Sequence, residues 1–141
     1  MAKKEKQELT LQQAYMELQQ LSQGIKQSQE QIQQITAQLE DLNATEQALD
    51  DIPNSEIDSE LLVPMSAGIF VKAGLKENKK VVINVGAGTA VEKDIADTKE
   101  LVLRQKQELT NIRDQLAEQM QLMNARLHAI QHAVEKAGIA Q

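Results

Sequence analysis

Apolar residues recur every three or four positions along the first third of the chain, with Gln and Glu at most positions between them. An apolar seam of this kind, held for about five heptads, predicts a long coiled-coil helix. Pro53 ends the pattern, because proline lacks an N–H donor and disfavours helical geometry at the residue before it. Two interleaved series form the seam: Leu11, Leu18, Ile25, Ile32 and Leu39, and Ala14, Leu21, Ser28, Ile35, Leu42 and Leu49.

A second helical pattern starts near Asp94, which we predict to be the N-cap, with the acidic Asp97 favourably placed in the first turn. Two successive steps of four, from Ile112 to Leu116 and on to Met120, predict a stutter that locally unwinds the supercoil. Because the two patterns are of similar length, the helices can fold back as an antiparallel pair and cover both seams. The predicted seam of the second helix is Ile95, Thr98, Val102, Gln105, Leu109, Ile112, Leu116, Met120, Met123, Leu127, Ile130, Val134 and Ala137.

The segment between the helices predicts four short strands, at Leu61–Met65, Gly68–Leu75, Lys80–Val85 and Thr89–Lys93. The glycines of Ser66-Ala67-Gly68 and Gly86-Ala87-Gly88 supply the positive φ that tight turns need, and the polar Glu77–Lys79 forms a turn between the second and third strands. The predicted fold class is α+β, a long antiparallel helical coiled-coil hairpin with two central β-hairpins. The expected regions are an N-terminal coiled-coil helix (1–53), a β-hairpin oligomerisation region (54–93) and a C-terminal coiled-coil helix (94–141).

Both faces of the predicted strands carry apolar side chains, as Phe70 and Val71 illustrate, and one chain offers no second sheet to cover them. Isolated hairpins are marginally stable in water, and their open edges are templates for pairing with other chains. We therefore expect hairpins from several subunits to pair edge to edge and close a β-barrel. The residues expected to carry this oligomerisation are Val63, Ile69, Phe70, Val71, Val81, Val82, Ile83 and Val85.

The segment Gly86-Ala87-Gly88 follows a β-branched run and superficially resembles a phosphate-binding loop. A dinucleotide loop requires G-x-G-x-x-G, but Val91 stands at the third glycine position, and no Lys-Ser or Lys-Thr follows to make a P-loop. The predicted strand after Gly88 also removes the helix N-terminus that would hold an anion. The sequence therefore favours a structural turn here over a nucleotide site.

No other constellation predicts catalysis or metal binding. His128 and His132 lie four residues apart, a spacing that can bind metal, but only Glu135 offers itself as a third ligand, so we expect a solvated pair. The carboxylates occupy positions typical of solvated helix faces, and no Ser/His/Asp arrangement is present. We expect no enzyme activity, no cofactor and no metal.

Composition excludes several classes of partner. The formal net charge of −6 argues against nucleic acid, because affinity for phosphates needs clustered Lys and Arg. No apolar run approaches the ~20 residues of a membrane span, and the absence of cysteine excludes disulfides and thiolate metal sites. One Phe, one Tyr and no Trp argue against a compact core rich in large side chains. We expect a cytoplasmic protein without a membrane or nucleic-acid partner.

The order of long helix, "LLVPMSAGIFVKAGL", polar turn, "VVINVGAGTAVEK" and long helix resembles the α class of prefoldin subunits over essentially the whole chain. The two hairpins mark that class, because β-class subunits have a single hairpin. The resemblance implies a hexamer of two α-class and four β-class subunits, with a double β-barrel body and six coiled-coil arms. It further implies an ATP-independent holdase that captures non-native polypeptides at the tips of the arms and delivers them to a group II chaperonin.

A holdase needs apolar side chains that remain exposed, and adaptable binding surfaces often use Met. Many apolar residues near the predicted tips are expected to lie in the seam, whereas Leu9, Tyr15, Met16 and Ile139 fall outside it. The alternative is a coiled-coil scaffold or spacer without client binding, for which paired β-hairpins have no evident use. The candidate client-binding residues are Leu9, Tyr15, Met16, Met120, Met123, Leu127 and Ile139.

Overall fold

The computed structural model describes the backbone of residues 2–139 and the side chains of residues 11–138. Two long helices flank two antiparallel β-hairpins, which confirms the predicted α+β arrangement of the chain. The chain divides into a helical unit, Met1–Gln38 with Leu109–Gln141, and a hairpin unit, Leu39–Glu108. The elements are α1 (Ala2–Asp51), a 3-10 turn (Ile52–Asn54), β1 (Glu60–Ser66), β2 (Ile69–Gly74), β3 (Lys80–Gly86), β4 (Thr89–Asp94) and α2 (Ile95–Ile139).

The predicted seam of α1 is confirmed at every position. Each residue of the two heptad series is buried or half-buried, whereas the intervening positions are exposed apart from Glu17, Gly24 and Glu46. Ser28 and Leu39 are among the most buried residues of the described chain, each with 7% of its surface exposed. Burial of one narrow stripe, with a polar surface elsewhere, is what a coiled-coil helix requires.

Within the helical unit, side-chain contacts show that the two helices run antiparallel. Arg126 on α2 contacts Glu17 on α1, and Met123 lies against Gly24. A β-carbon built on Gly24 would stand 2.9 Å from the Met123 Sδ atom. Gly24 therefore provides the space that the Met123 thioether fills, which explains why a residue with poor helix propensity lies in the middle of α1.

The hairpin unit has a small core where α1, α2 and β3 meet. Leu49, Ile95 and Val102 are buried, with Leu42, Ile52 and Val81 packed against them. The backbone N–H of Ile95 donates to the Lys79 carbonyl at 3.1 Å, which ties the start of α2 to the segment before β3. Ion pairs between the helices, Glu46 with Lys106 at 2.6 Å and Asp50 with Lys99, repeat the antiparallel pairing in this unit.

The seam of α2 differs from the prediction at three positions. Gln105, Ile112 and Ala137 are exposed, whereas Lys106 and Arg113 are half-buried in place of the first two. Long basic side chains can cover a seam with their aliphatic stems while their charged ends reach solvent or a partner. The Nζ atom of Lys106 does this through its ion pair with Glu46.

This change moves the predicted stutter. The successive steps of four run from Thr98 to Val102 to Lys106, and the regular 3–4 alternation then continues through Leu116 and Met120. The prediction of a stutter at Ile112–Leu116–Met120 is therefore wrong. Asp94 lies directly before α2 as predicted, with Asp97 in the first turn, and the Asp94 carbonyl accepts a hydrogen bond from Thr98 Oγ1 at 2.9 Å.

The four predicted strands are confirmed, each within one residue of its bounds, and they form two separate two-stranded sheets, β1–β2 and β3–β4. The Glu77–Lys79 turn therefore connects two sheets and does not close a hairpin. The Lys79 N–H donates to the Glu77 carboxylate at 3.0 Å, and the Asn78 side-chain amide donates to the Ser55 carbonyl at 3.2 Å. These bonds fix the connection that separates the two hairpins.

The two hairpins repeat one backbone design. Their registers run from Glu60↔Gly74 and from Lys80↔Asp94, so equivalent positions lie twenty residues apart. Each register shifts by one residue just before the turn, between Pro64 and Ser66 and between Asn84 and Gly86. Each turn then has two residues at positive φ: Ala67 at 52° and Gly68 at 77°, and Ala87 at 52° and Gly88 at 72°.

We predict that Ala67→Asn and Ala87→Asn each stabilise the protein by about 0.5–1 kcal/mol, because a hairpin turn with positive φ at both central residues favours Asn-Gly over Ala-Gly. Urea unfolding at a fixed subunit concentration measures the change. The matched control is Gly68→Ala, which meets no atom within 4 Å and should destabilise by about 1 kcal/mol through backbone conformation alone. Unchanged stability in both Asn variants would contradict the assignment of strain to these alanines.

We also predict that Leu49→Ala destabilises the protein by about 2–5 kcal/mol, because it opens a cavity in a core of very few residues. Leu103→Ala is the control, since Leu103 has 50% of its surface exposed and should lose about 0.5 kcal/mol or less. Chemical unfolding of both variants at equal subunit concentration tests this difference. Equal losses would show that the Leu49–Ile95–Val102 cluster does not form the core.

Candidate functional site

The helical unit carries apolar side chains that its seam does not bury. Tyr15, Met16 and Leu122 have 58%, 62% and 67% of their surfaces exposed. Tyr15 and Met16 were predicted to lie outside the seam, and the structure places them there. Leu122 was missed, although its position between the seam residues Met120 and Met123 already implied an outward direction.

The other candidate client-binding residues divide into two groups. Met120, Met123 and Leu127 are half-buried in the seam, so each presents part of its surface. The side chains of Leu9 and Ile139 lie outside the described part of the chain. The large apolar residues exposed in the described part of the helical unit are Tyr15, Met16, Leu122 and, at 46%, Ile112. The first three are the most exposed, and we call them the helical apolar surface.

An ion pair lies next to Tyr15 and Met16. The Arg126 Nε and Nη2 atoms donate to the two Glu17 carboxylate oxygens at 2.9 and 3.4 Å, a two-point contact of guanidinium with carboxylate. The hydrogen bond from Arg126 lowers the pKa of the Glu17 carboxyl group. This pair links α1 to α2 at Glu17, the residue that follows Tyr15 and Met16 in the chain.

The hairpins present a second, larger set of exposed apolar residues. Among the predicted oligomerisation residues, Val81 packs on the core of the hairpin unit and Ile83 is half-buried. The prediction omitted Leu61, Leu62, Met65 and Val91, which lie on the same predicted strands and are also exposed. The exposed predicted residues are Val63 (46%), Ile69 (61%), Phe70 (55%), Val71 (46%), Val82 (67%) and Val85 (60%).

Both faces of each hairpin carry apolar side chains, and on each hairpin one face is the more uniformly apolar. Cross-strand partners share a face, which places Leu61, Val63, Val71 and Ala73 together on the first hairpin. On the second hairpin the equivalent positions hold Val81, Ile83, Val91 and Lys93. Two-stranded sheets with such faces are marginal alone, so these faces are suited to packing inside a larger β-structure.

The remaining sequence motifs have structural explanations. Gly86 ends β3, and Gly88 lies in the turn that leads to β4. Because a strand follows this turn, it offers no helix N-terminus to an anion. His128 and His132 are exposed. Among the described residues, no group of three His, Asp or Glu side chains is arranged to hold a metal ion.

No helix in the described range combines the length and apolar content that crossing a membrane requires.

The sequence matches the family model described as "Prefoldin subunit" over residues 21–140. It is 32% identical over 102 residues to the prefoldin subunit alpha of Methanobrevibacter smithii, covering 72% of this chain and 69% of that protein. Identity to the prefoldin subunit alpha of Methanopyrus kandleri is 38% over 73 residues, covering 52% of this chain and 46% of that protein. Identity to the prefoldin subunit alpha of Thermofilum pendens is 30% over 87 residues, covering 62% of this chain and 67% of that protein.

The fold is similar to that of a solved structure, filamentous PFD from Methanocaldococcus jannaschii. The TM-score is 0.72, and the match covers 84% of this chain and 98% of the other at 16% sequence identity. This likeness concerns the fold: helix, two hairpins, helix. The family model covers most of the sequence and the alpha-subunit relatives share about a third of the aligned residues. The chain therefore belongs to the prefoldin family.

Proposed function

We propose that this chain is a subunit of an ATP-independent holdase that binds non-native polypeptides at the helical apolar surface. Membership in the prefoldin family supports a role as a chaperone subunit. The observation that carries the finer proposal is the exposure of Tyr15, Met16 and Leu122 on helices whose seam is otherwise covered. Apolar groups left in water on a folded protein are suited to partners that expose apolar segments of their own.

The chemistry of this surface suits many clients. Met16 is unbranched and has a polarisable thioether, so it can adapt to differently shaped partners. Tyr15 adds a large ring with a polar end, which tolerates partial exposure to water. The half-buried Met120, Met123 and Leu127 extend the surface where a client displaces part of the seam, and Leu9 and Ile139 are proposed to contribute as well.

Assembly is assigned to the hairpin region, residues 54–93, between the two helical regions 1–53 and 94–141. We propose that it joins this subunit to β-class prefoldin subunits in a hexamer of two α and four β chains, with the hairpins closing into β-barrels. The exposed apolar faces of both hairpins and their open strand edges support this proposal. Bound clients are then passed to a group II chaperonin.

The holding activity is tested with the triple variant Tyr15→Gln, Met16→Gln, Leu122→Gln, assembled with a β-class partner. Gln keeps helix propensity and removes the apolar contact. We expect the complex to suppress aggregation of a denatured protein about tenfold less well, which corresponds to ~1.4 kcal/mol of client binding. Light scattering after dilution from denaturant, without nucleotide, measures this effect.

The control for this test is Leu103→Gln, because Leu103 is also exposed, at 50%, but belongs to the hairpin unit. It should suppress aggregation as well as the unchanged chain does. Full activity in the triple variant would show that clients do not bind at these residues. If neither the unchanged nor the altered complex suppresses aggregation while both assemble, the protein is a spacer.

Delivery is tested separately with a client labelled for fluorescence anisotropy and held by the complex. Adding a group II chaperonin should move the label to the chaperonin within the time of one folding cycle, without free client appearing. Release of free client on adding chaperonin, or no transfer, would contradict delivery while leaving the holding function intact.

A further inference from the structure

We propose that Met16 is a reversible oxidation site at which a peroxide weakens client holding. The inference rests on the holding function proposed above and concerns the regulation of that same surface. Three observations lead to it: the exposure of Met16, the packing of Met120 and Met123 in the seam, and the absence of cysteine from the chain.

The composition of the chain makes methionine its only oxidisable sulfur. The chain has five Met and no Cys. A peroxide ordinarily reacts with an accessible cysteine thiolate, and methionine thioethers are the other sulfur groups that it oxidises. In this chain the thioethers are the sulfur atoms that a peroxide meets, and their accessibility decides which of them reacts.

Met16 lies on an open, uncharged part of the α1 surface. It has 62% of its surface exposed and lies outside the seam. Residues three and four apart are neighbours on a helix, and all four of these neighbours of Met16 are exposed glutamines: Gln12, Gln13, Gln19 and Gln20. A small neutral peroxide therefore reaches Met16 without any change in the packing of the helices.

The other methionines of the helical unit are packed. Met120 and Met123 are half-buried in the seam. The Met123 sulfur occupies the space beside Gly24, 2.9 Å from where a β-carbon of that residue would stand. A sulfoxide oxygen on that side would meet the backbone of α1, so oxidation of Met123 requires the seam to open. We therefore expect Met16 to react before Met120 and Met123.

Met65 offers a comparison within the same chain. It is exposed to a similar degree, at 66%, but it lies on β1 in the hairpin unit. Met65 does not belong to the helical apolar surface, whereas Met16 does. Oxidation of Met65 in an assembled complex therefore changes no residue of the surface proposed to hold clients.

The reaction is a two-electron oxygen transfer. The Met16 sulfur attacks one peroxide oxygen, an S–O bond forms and the O–O bond breaks. The proton of the attacked oxygen passes to the departing hydroxide, so the products are the sulfoxide and water. A methionine sulfoxide reductase reverses the change: two thiols become a disulfide, and the sulfoxide oxygen leaves as water.

Oxidation changes the property on which holding depends. The sulfoxide replaces a flexible apolar group with a polar one, so Met16 gains less free energy from burial against an apolar client segment. Tyr15 and Leu122 keep their apolar surface, so holding weakens without being abolished. Because Met16 lies outside the seam, the pairing of the helices is unchanged.

Mild treatment with hydrogen peroxide tests the site in the complex of the full chain with a β-class partner. Peptide mass spectrometry should show the sulfoxide forming about threefold faster, or more, at Met16 than at Met123. Aggregation suppression should fall about threefold relative to the untreated sample. Methionine sulfoxide reductases for both epimers, supplied with a thiol reductant, should restore it.

Three variants separate Met16 from the other methionines, including those of the partner. Each variant complex is compared with its own untreated sample. Met16→Leu should lose no suppression on treatment, whereas Met65→Leu should lose as much as the unchanged chain does. Met16→Gln places a polar side chain at the same position, so its suppression should be reduced before treatment and should fall no further.

The inference is overturned if Met16 reacts no faster than Met123, or if Met16→Leu loses as much suppression as the unchanged chain. A fall in the thermal unfolding midpoint together with the loss of holding would also overturn it, because the effect would then lie in the seam. A complex that carries the Met16 sulfoxide and holds clients fully overturns this inference alone. An untreated complex that holds no client contradicts the proposed function itself.

Discussion

The hairpin unit depends on the packing of Leu49, Ile95 and Val102, because this is where both helices and β3 touch. Three buried residues are few for a core, and the side chains of the two-stranded sheets are mostly exposed. Burial of apolar surface is the main stabilising term in folding, so the hairpins depend on this cluster and on contacts that a single chain does not supply. Association with other subunits therefore contributes to the stability of the hairpins.

The seam is the part of the structure that the sequence predicted best. In α1 every seam residue is apolar or small, so the heptad alone identified it. In α2 the seam includes Lys106 and Arg113, which are half-buried. Their charged ends favour a prediction of solvent exposure, although their aliphatic stems can cover the seam. Periodicity read from side-chain polarity therefore chose Gln105 and Ile112, and placed the stutter too late. Lys106 reaches its partner, Glu46, on the other helix, and the position of that partner cannot be read from the sequence of α2.

The candidate surfaces were predictable to different degrees. Tyr15 and Met16 follow directly from the α1 heptad, because residues outside a correct seam must face water. The partial burial of Val81 could not be read from its strand, since it comes from the ends of two helices distant in sequence.

The two hairpins show how one backbone design can serve different contacts. Their turns and registers match at an offset of twenty residues, yet Pro64 corresponds to Asn84 and Leu62 to Val82. Because equivalent backbone positions carry different edge chemistry, a partner strand meets a complete set of donors on β3 and an incomplete set on β1. Lys72 and Glu92 add opposite charges to the remaining edges, which favour partners of complementary charge over identical ones.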